Sequence, residues 1–157
     1  MIIGHAPAGY LLASALDRSF FRDPVIFWSI VVGAVVPDLD MLWFFFVDRG
    51  TTHHHTYLTH DPTLWSVLLF IGFVLTSRLL IGLGMGGLLH MALDSIAGAV
   101  TWGWGAYSVS GPLVVVPPTQ DHWLMSFLLH WLILVEIVLW ICAAVLFWRR
   151  RSLPVIE

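Results

Sequence analysis

Apolar residues run along this chain in long blocks separated by short polar stretches. Five blocks read as helical segments, at about Ile2–Leu16, Pro24–Val47, Pro62–Ser77, Leu79–Val100 and Trp123–Trp148. Roughly 20 helical residues are needed to cross the hydrocarbon core of a bilayer. The first block is too short to cross comfortably, and Pro7 suits its first turn. The third is also short. The second contains Pro37, which removes a backbone donor to the carbonyl of Gly33 and predicts a kink. The fourth opens on a glycine-rich run in which Gly82 and Gly86 have the spacing that lets membrane helices approach closely. The polar stretches are Asp17–Asp23, the histidine-rich Asp48–Asp61, Arg78 alone, and Thr101–His122, where Trp102, Trp104 and Tyr107 suit a membrane interface. The expectation is an all-α polytopic membrane helix bundle of about five segments in one domain over residues 1–157. Its first segment is short and its second is kinked at Pro37.

Composition agrees with this pattern. The chain is 59% hydrophobic and 11% charged, against about 25% charged in soluble domains. Its mean hydropathy is +0.87. All seven basic residues are Arg, and they form no patch suited to nucleic acid. The single Cys142 excludes an intrachain disulfide. No charged stretch precedes the first apolar block, so a cleavable signal peptide is not expected. With five segments, Arg18, Arg22, Arg78 and Arg149–Arg151 fall on one side and only Arg49 on the other. Basic residues concentrate on the cytoplasmic side. The N-terminus is therefore expected outside and the C-terminus in the cytoplasm.

Within this apolar frame the ionisable groups stand out. Asp38 and Asp40 lie in a block of spanning length, where a charge costs about 3 kcal/mol or more. On a regular helix they would point about 200° apart. A break at Pro37 lets both face one site; otherwise one binds and the other caps the broken helix. His53, His54, His55 and His60 follow in the loop, the first two reading as a solvated run. Asp61-Pro62 reads as a helix start with Asp61 capping. His90 and Asp94, four apart, share a helix face. His5 precedes the first segment. His130 and Glu136 lie in the fifth, six apart and not on one face. The expected topology gathers His5, Asp38, Asp40, His90, Asp94 and His130 at the outer side. Carboxylate and imidazole together are ligands for Zn, Mn or Fe.

In order, the chain shows an N-terminal His5, then Pro37-Asp38-Leu39-Asp40, then His55 through Thr59-His60, then His90 with Asp94. This order resembles the YdjM-like family of bacterial membrane-bound metal-dependent hydrolases, over about residues 1–100. Where that family commonly has Arg and Ser after the two loop histidines, this chain has Thr56 and Asp61. The ligand order is also remotely similar to that of zinc-dependent phospholipase C and nuclease P1, in which an Asp helps bridge two zinc ions. The resemblance implies His5, Asp38, Asp40, His60, His90 and Asp94 as metal residues, with Asp94 bridging. It implies Asp40, His55 and Asp94 as the catalytic candidates. The implied cofactor is one or two divalent ions, Zn first, with Mn or Fe as alternatives. The implied substrate is a lipid or lipid-linked molecule at the outer leaflet, with a phosphoester favoured. No Ser or Cys pairs with a His, which leaves a metal-activated water as nucleophile. The alternatives are a structural or metal-binding subunit of a membrane complex, and a small transporter. Against transport, no inverted repeat of broken helices is visible.

The Arg distribution predicts how single cysteines behave in a Cys142→Ser background. Thr52→Cys and Gly111→Cys should react with an impermeant maleimide on intact cells, while Ser19→Cys and Ser152→Cys should not. Labelling of Ser152→Cys without Thr52→Cys would reverse the orientation.

Overall fold

The computed structural model describes residues 1–19, 23–49, 51, 56–103 and 111–152. Among these the chain is all-α, with seven helices: α1 (His5–Ser19), α2 (Pro24–Gly33), α3 (Asp40–Phe46), α4 (Pro62–Val74), α5 (Arg78–Ala97), α6 (Trp123–Leu128) and α7 (Leu132–Ser152). Two of them, α5 and α7, are long and apolar enough to cross a membrane. A third span forms if α2 and the Val36–Phe46 stretch act together; they are bent by 48°. α4 has 13 residues and so rises only about 20 Å.

The break after α2 has the expected cause. Pro37 is buried in a 3-10 turn, Val36–Leu39. The Asp38 amide bonds the Val35 carbonyl at 3.1 Å, so the helical bond from Asp38 to the Ala34 carbonyl is not made. The starts of α2 and α4 are capped by short polar side chains. Asp23 accepts from Val25 and Ile26, with Pro24 at the first position. Asp61 accepts from the Thr63 amide at 2.8 Å ahead of Pro62.

The fifth apolar block departs from a single helix. It divides at Leu129–Trp131 into α6 and α7. The His130 Nδ1 accepts from the Leu132 amide at 3.4 Å, so this side chain serves the start of α7. Its sequence position inside an apolar run gave no sign of a cap.

α5 is the central element, packed against both α2 and α4. The α2 contact is a backbone contact. A Cβ on Gly82 would stand 2.5 Å from the Ser29 Cβ, and one on Gly33 would stand 2.5 Å from the Leu83 carbonyl oxygen. A Cβ on Gly86 would strike the Ile30 carbonyl. On the other side of α5 the indole of Trp65 lies against Gly87. Apolar side chains close the two seams: Ala13, Ile26, Phe27 and Ile30 between α1 and α2, and Trp65 with Met91 and Val100 beside α4 and α5.

Two ends of the bundle differ in chemistry. His5 begins α1 and Asp17 is near its end, about 18 Å further along. At the Asp17 end, Arg150 pairs with Asp17 at 2.6 Å and Arg78 with Asp23 at 2.5 Å. His5, His60 and His90 gather with Asp38, Asp40 and Asp94 at the His5 end. Gly86→Leu is expected to separate α2 from α5, since overpacking costs about 1–3 kcal/mol or more. Thermal denaturation in detergent should show a clear loss, whereas Gly98→Ala, at the α5 terminus, should be tolerated.

Candidate metal centre

His90 enters the site because α2 and α5 touch. One turn beyond Gly86, the His90 Nδ1 lies 2.8 Å from the Ala34 carbonyl oxygen. That oxygen is the acceptor the Pro37 break leaves without its helical donor. A carbonyl can only accept, so Nδ1 carries a proton, and whenever the ring is neutral Nε2 presents a lone pair. That lone pair faces two carboxylates, Asp94 Oδ2 at 3.1 Å and Asp38 Oδ1 at 3.6 Å.

His60 is placed by different means with the same result. It closes a 3-10 turn, Leu58–His60. The buried Trp65 donates its indole N–H to the Thr59 carbonyl at 2.8 Å and fixes that turn. The His60 Nδ1 lies 2.7 Å from Asp40 Oδ2, which also accepts from the Thr59 hydroxyl. The His60 Nε2 then faces Asp94 Oδ2 at 3.6 Å and Asp38 Oδ1 at 3.8 Å. Further out, the Tyr57 hydroxyl donates to Asp48 at 2.8 Å. Burial and that hydrogen bond push it up to about 12, so it remains a donor at neutral pH.

His5 lies face to face with His90, with centroids 3.7 Å apart and planes 16° apart. Its Nε2 is 3.0 Å from Asp94 Oδ1 and its Nδ1 is 3.2 Å from Asp38 Oδ2. The Met1 ammonium donates to Asp94 Oδ1 at 2.6 Å. His5, His60, His90 and Asp94 are all buried. Asp38, at 32% side-chain exposure, is the one that reaches the surface.

Among the described residues, two groups of three could therefore hold an ion, His5–His90–Asp94 and Asp38–His60–His90, with ligand atoms within 4.8 Å of one another in each. A tetrahedral ion with bonds of about 2.0–2.1 Å sets its ligands roughly 3.3 Å apart, and the separations above bracket that. The chemistry fits as well: lone pairs and carboxylate oxygens converge in a buried space, where like groups repel unless a cation lies between them. Asp40 belongs to neither group and stands behind His60. His55 lies outside the described residues, as do His53 and His54. His130 accepts from the Leu132 amide at the start of α7, and Glu136 is buried against the lead-in to α1. Thr59 stood in the sequence motif with His60, whereas Trp65 and the Ala34 carbonyl, which also support the two histidines, carried no signal in the sequence that set them apart from ordinary core residues.

A cavity of about 520 Å³ adjoins the cluster. Asp38 is its one ionisable side chain among the described lining; Met41, Val116, Trp123 and Phe127 supply apolar wall. The wall at Val116 is held by the extended stretch 113–118, whose Leu113 and Val114 amides bond the Ser95 and Ile96 carbonyls at 2.9 and 2.7 Å.

No known protein family, curated protein or solved structure matches this chain. The resemblance drawn from the order of His5, Asp38, Asp40, His60, His90 and Asp94 therefore rests on those residues alone.

The geometry predicts that His90→Ala and Asp94→Ala each strip divalent metal from detergent-purified protein, as read by elemental analysis. His53→Ala should keep it. Full metal content and unchanged thermal stability in both helix variants would mean that neither residue is a ligand.

Proposed function

We propose that this protein is a metal-dependent membrane hydrolase acting on a lipid-like substrate at the outer leaflet, with a phosphoester as the favoured scissile bond. One observation carries the reading. The Nδ1 atoms of His60 and His90 are each tied to an acceptor outside the cluster, which turns both Nε2 lone pairs toward the oxygens of Asp38 and Asp94. Metal-ligating histidines have this arrangement: the far nitrogen is hydrogen-bonded so that the near one is fixed in tautomer and direction.

His90 is common to both triads, and Asp94 belongs to the one with His5. Asp94 turns one oxygen to His5 and the other to His60 and His90, which suits a bridging position between two ions. Zn is the first choice for this donor set, with Mn or Fe as alternatives. Such an ion supplies Lewis acidity and a water acidic enough to ionise near neutral pH. The chain's own residues do the rest. Asp40 orients His60 from behind. Asp38 stands where the cluster meets the cavity, placed to take a proton from an entering water or to hold a polar headgroup. The apolar walls at Met41, Trp123 and Phe127 exclude water and suit the hydrocarbon of a lipid. The phosphoester follows from charge: Asp38, Asp40 and Asp94 bring −3 against about +4 from two divalent ions, and the small positive excess favours an anionic group.

A structural metal site is the second reading, favoured by the near-complete burial of His5, His60, His90 and Asp94. The exposure of Asp38 at the cavity is the feature a closed structural site lacks.

Metal-loaded protein in mixed micelles, offered phospholipids, phosphatidic acid and undecaprenyl pyrophosphate, is expected to release phosphate or headgroup. Chelation and His90→Ala should abolish the release. Metal-dependent cleavage of a neutral ester or amide lipid alone would overturn the phosphoester assignment. A stoichiometric ion without turnover on any lipid would favour the structural reading.

A further inference from the structure

His5 differs from the other two histidines in how it is held. Asp40 orients His60, and the Ala34 carbonyl orients His90. The nitrogens of His5 face only Asp38 and Asp94, members of the cluster itself. Among the described residues, none outside the cluster bonds its ring. Its position over His90 must come from its backbone.

α1 packs on α2, Met1 reaches Asp94, and α7 holds the lead-in between them. Glu136, in the second turn of α7, is fully buried in a helix that is otherwise largely exposed. Its two oxygens each accept one backbone N–H from the lead-in to α1: Oε1 from Ile2 at 2.9 Å and Oε2 from Ile3 at 2.5 Å. One turn later, the Trp140 indole donates to the Ile3 carbonyl at 2.9 Å. The lead-in lies flat on α7: a Cβ on Gly4 would meet Glu136 Cγ at 3.3 Å and Leu139 Cδ1 at 3.4 Å. His5 is the next residue. A carboxylate buried at membrane depth is costly and marks a functional place by default. Here it also lies near the positive end of the α1 dipole, which offsets part of that cost.

We infer that Glu136 is the positioning residue for His5, acting through the Ile2 and Ile3 amides to hold the imidazole against His90 and between Asp38 and Asp94. The inference rests on the reading that His5 helps hold the ion. It brings into the site a segment that otherwise shows only hydrophobicity. The carboxylate is specifically required, because both donors need an acceptor. A glutamine of the same shape would keep one oxygen and set its amide N–H group against the other backbone N–H.

The test compares Glu136→Gln, His5→Ala and the double variant, using Co²⁺ affinity by chelator competition in detergent. Glu136→Gln should weaken affinity about 10–100-fold, as loss of an orienting partner does. The double variant should be no weaker than His5→Ala alone, since both changes act on one ligand. A second readout uses no metal. In chelator-treated protein, carbethoxylation of His5 by diethyl pyrocarbonate, followed by peptide mass spectrometry, should rise several-fold in Glu136→Gln while His90 stays protected. Trp140→Phe, a milder loosening, should move His5 the same way by less. Additive losses of Co²⁺ affinity, or His5 and His90 opening together, would overturn the inference and make Glu136 a general packing residue. A wild-type protein that binds no Co²⁺ would sink the hydrolase reading instead, and the carbethoxylation comparison would still decide the role of Glu136.

Discussion

Methyl groups missing from three positions let α2 and α5 meet backbone to backbone. At Gly33, Gly82 and Gly86 a Cβ would collide with the facing chain. Between membrane helices there is no water to expel, so association depends on close packing and hydrogen bonds. This contact provides the packing, and its far end provides a hydrogen bond. One turn past Gly86, His90 reaches the Ala34 carbonyl that Pro37 has left without a helical partner. A single short interhelical distance thus sets the tautomer and direction of the most buried histidine in the cluster. Trp65 presses on the opposite face of α5 and holds the His60 turn from that side, so two of the three imidazoles take their positions from α5.

The electrostatic problem is concentrated at the same end of the bundle. Three carboxylates and three imidazoles share a space that is almost dry, while the Arg–Asp pairs stand at the other end. The carboxylates are not equivalent. Asp94 is central and buried, Asp40 faces outward from the cluster onto His60, and Asp38 is partly open. Their differences follow from where the 3-10 turn and α3 send each side chain. They divide one set of like charges into a buried central carboxylate, a supporting one and a partly exposed one.

Much of this was legible in the sequence. His90 and Asp94 share a face because four residues make about one turn, and nothing in the structure disturbs that. Pro37 had to break a hydrogen bond, and Gly82 with Gly86 announced a close approach. The direction of Asp40 was not legible. The 200° argument assumes a regular helix, and the chain passes from a 3-10 turn into α3 between Asp38 and Asp40. The division between α6 and α7 was hidden because the run from Trp123 to Trp148 is apolar throughout, and His130 reads as chemistry until its bond to Leu132 is seen. The role of Trp65 depends on a backbone carbonyl, which every residue possesses. Glu136 bonds partners 133 and 134 residues away, a distance that no local pattern records.

That separation has a consequence for assembly. The chain is made from its N-terminus, at about 5–20 residues per second, so His5 precedes the helix that anchors it by roughly ten seconds. Until α7 is in place, the Ile2 and Ile3 amides lack the Glu136 acceptor, and the lead-in is held only through α1 on α2 and Met1 on Asp94. His60, His90 and Asp94 can come together earlier, because α2, α4 and α5 are contiguous in the chain. The cluster is therefore completed in two stages, an inner half built with the body of the bundle and a closing half supplied by its last described helix. An ion captured early would meet only part of its coordination. Until α7 arrives, His5 would be the one imidazole of the three whose backbone support is incomplete.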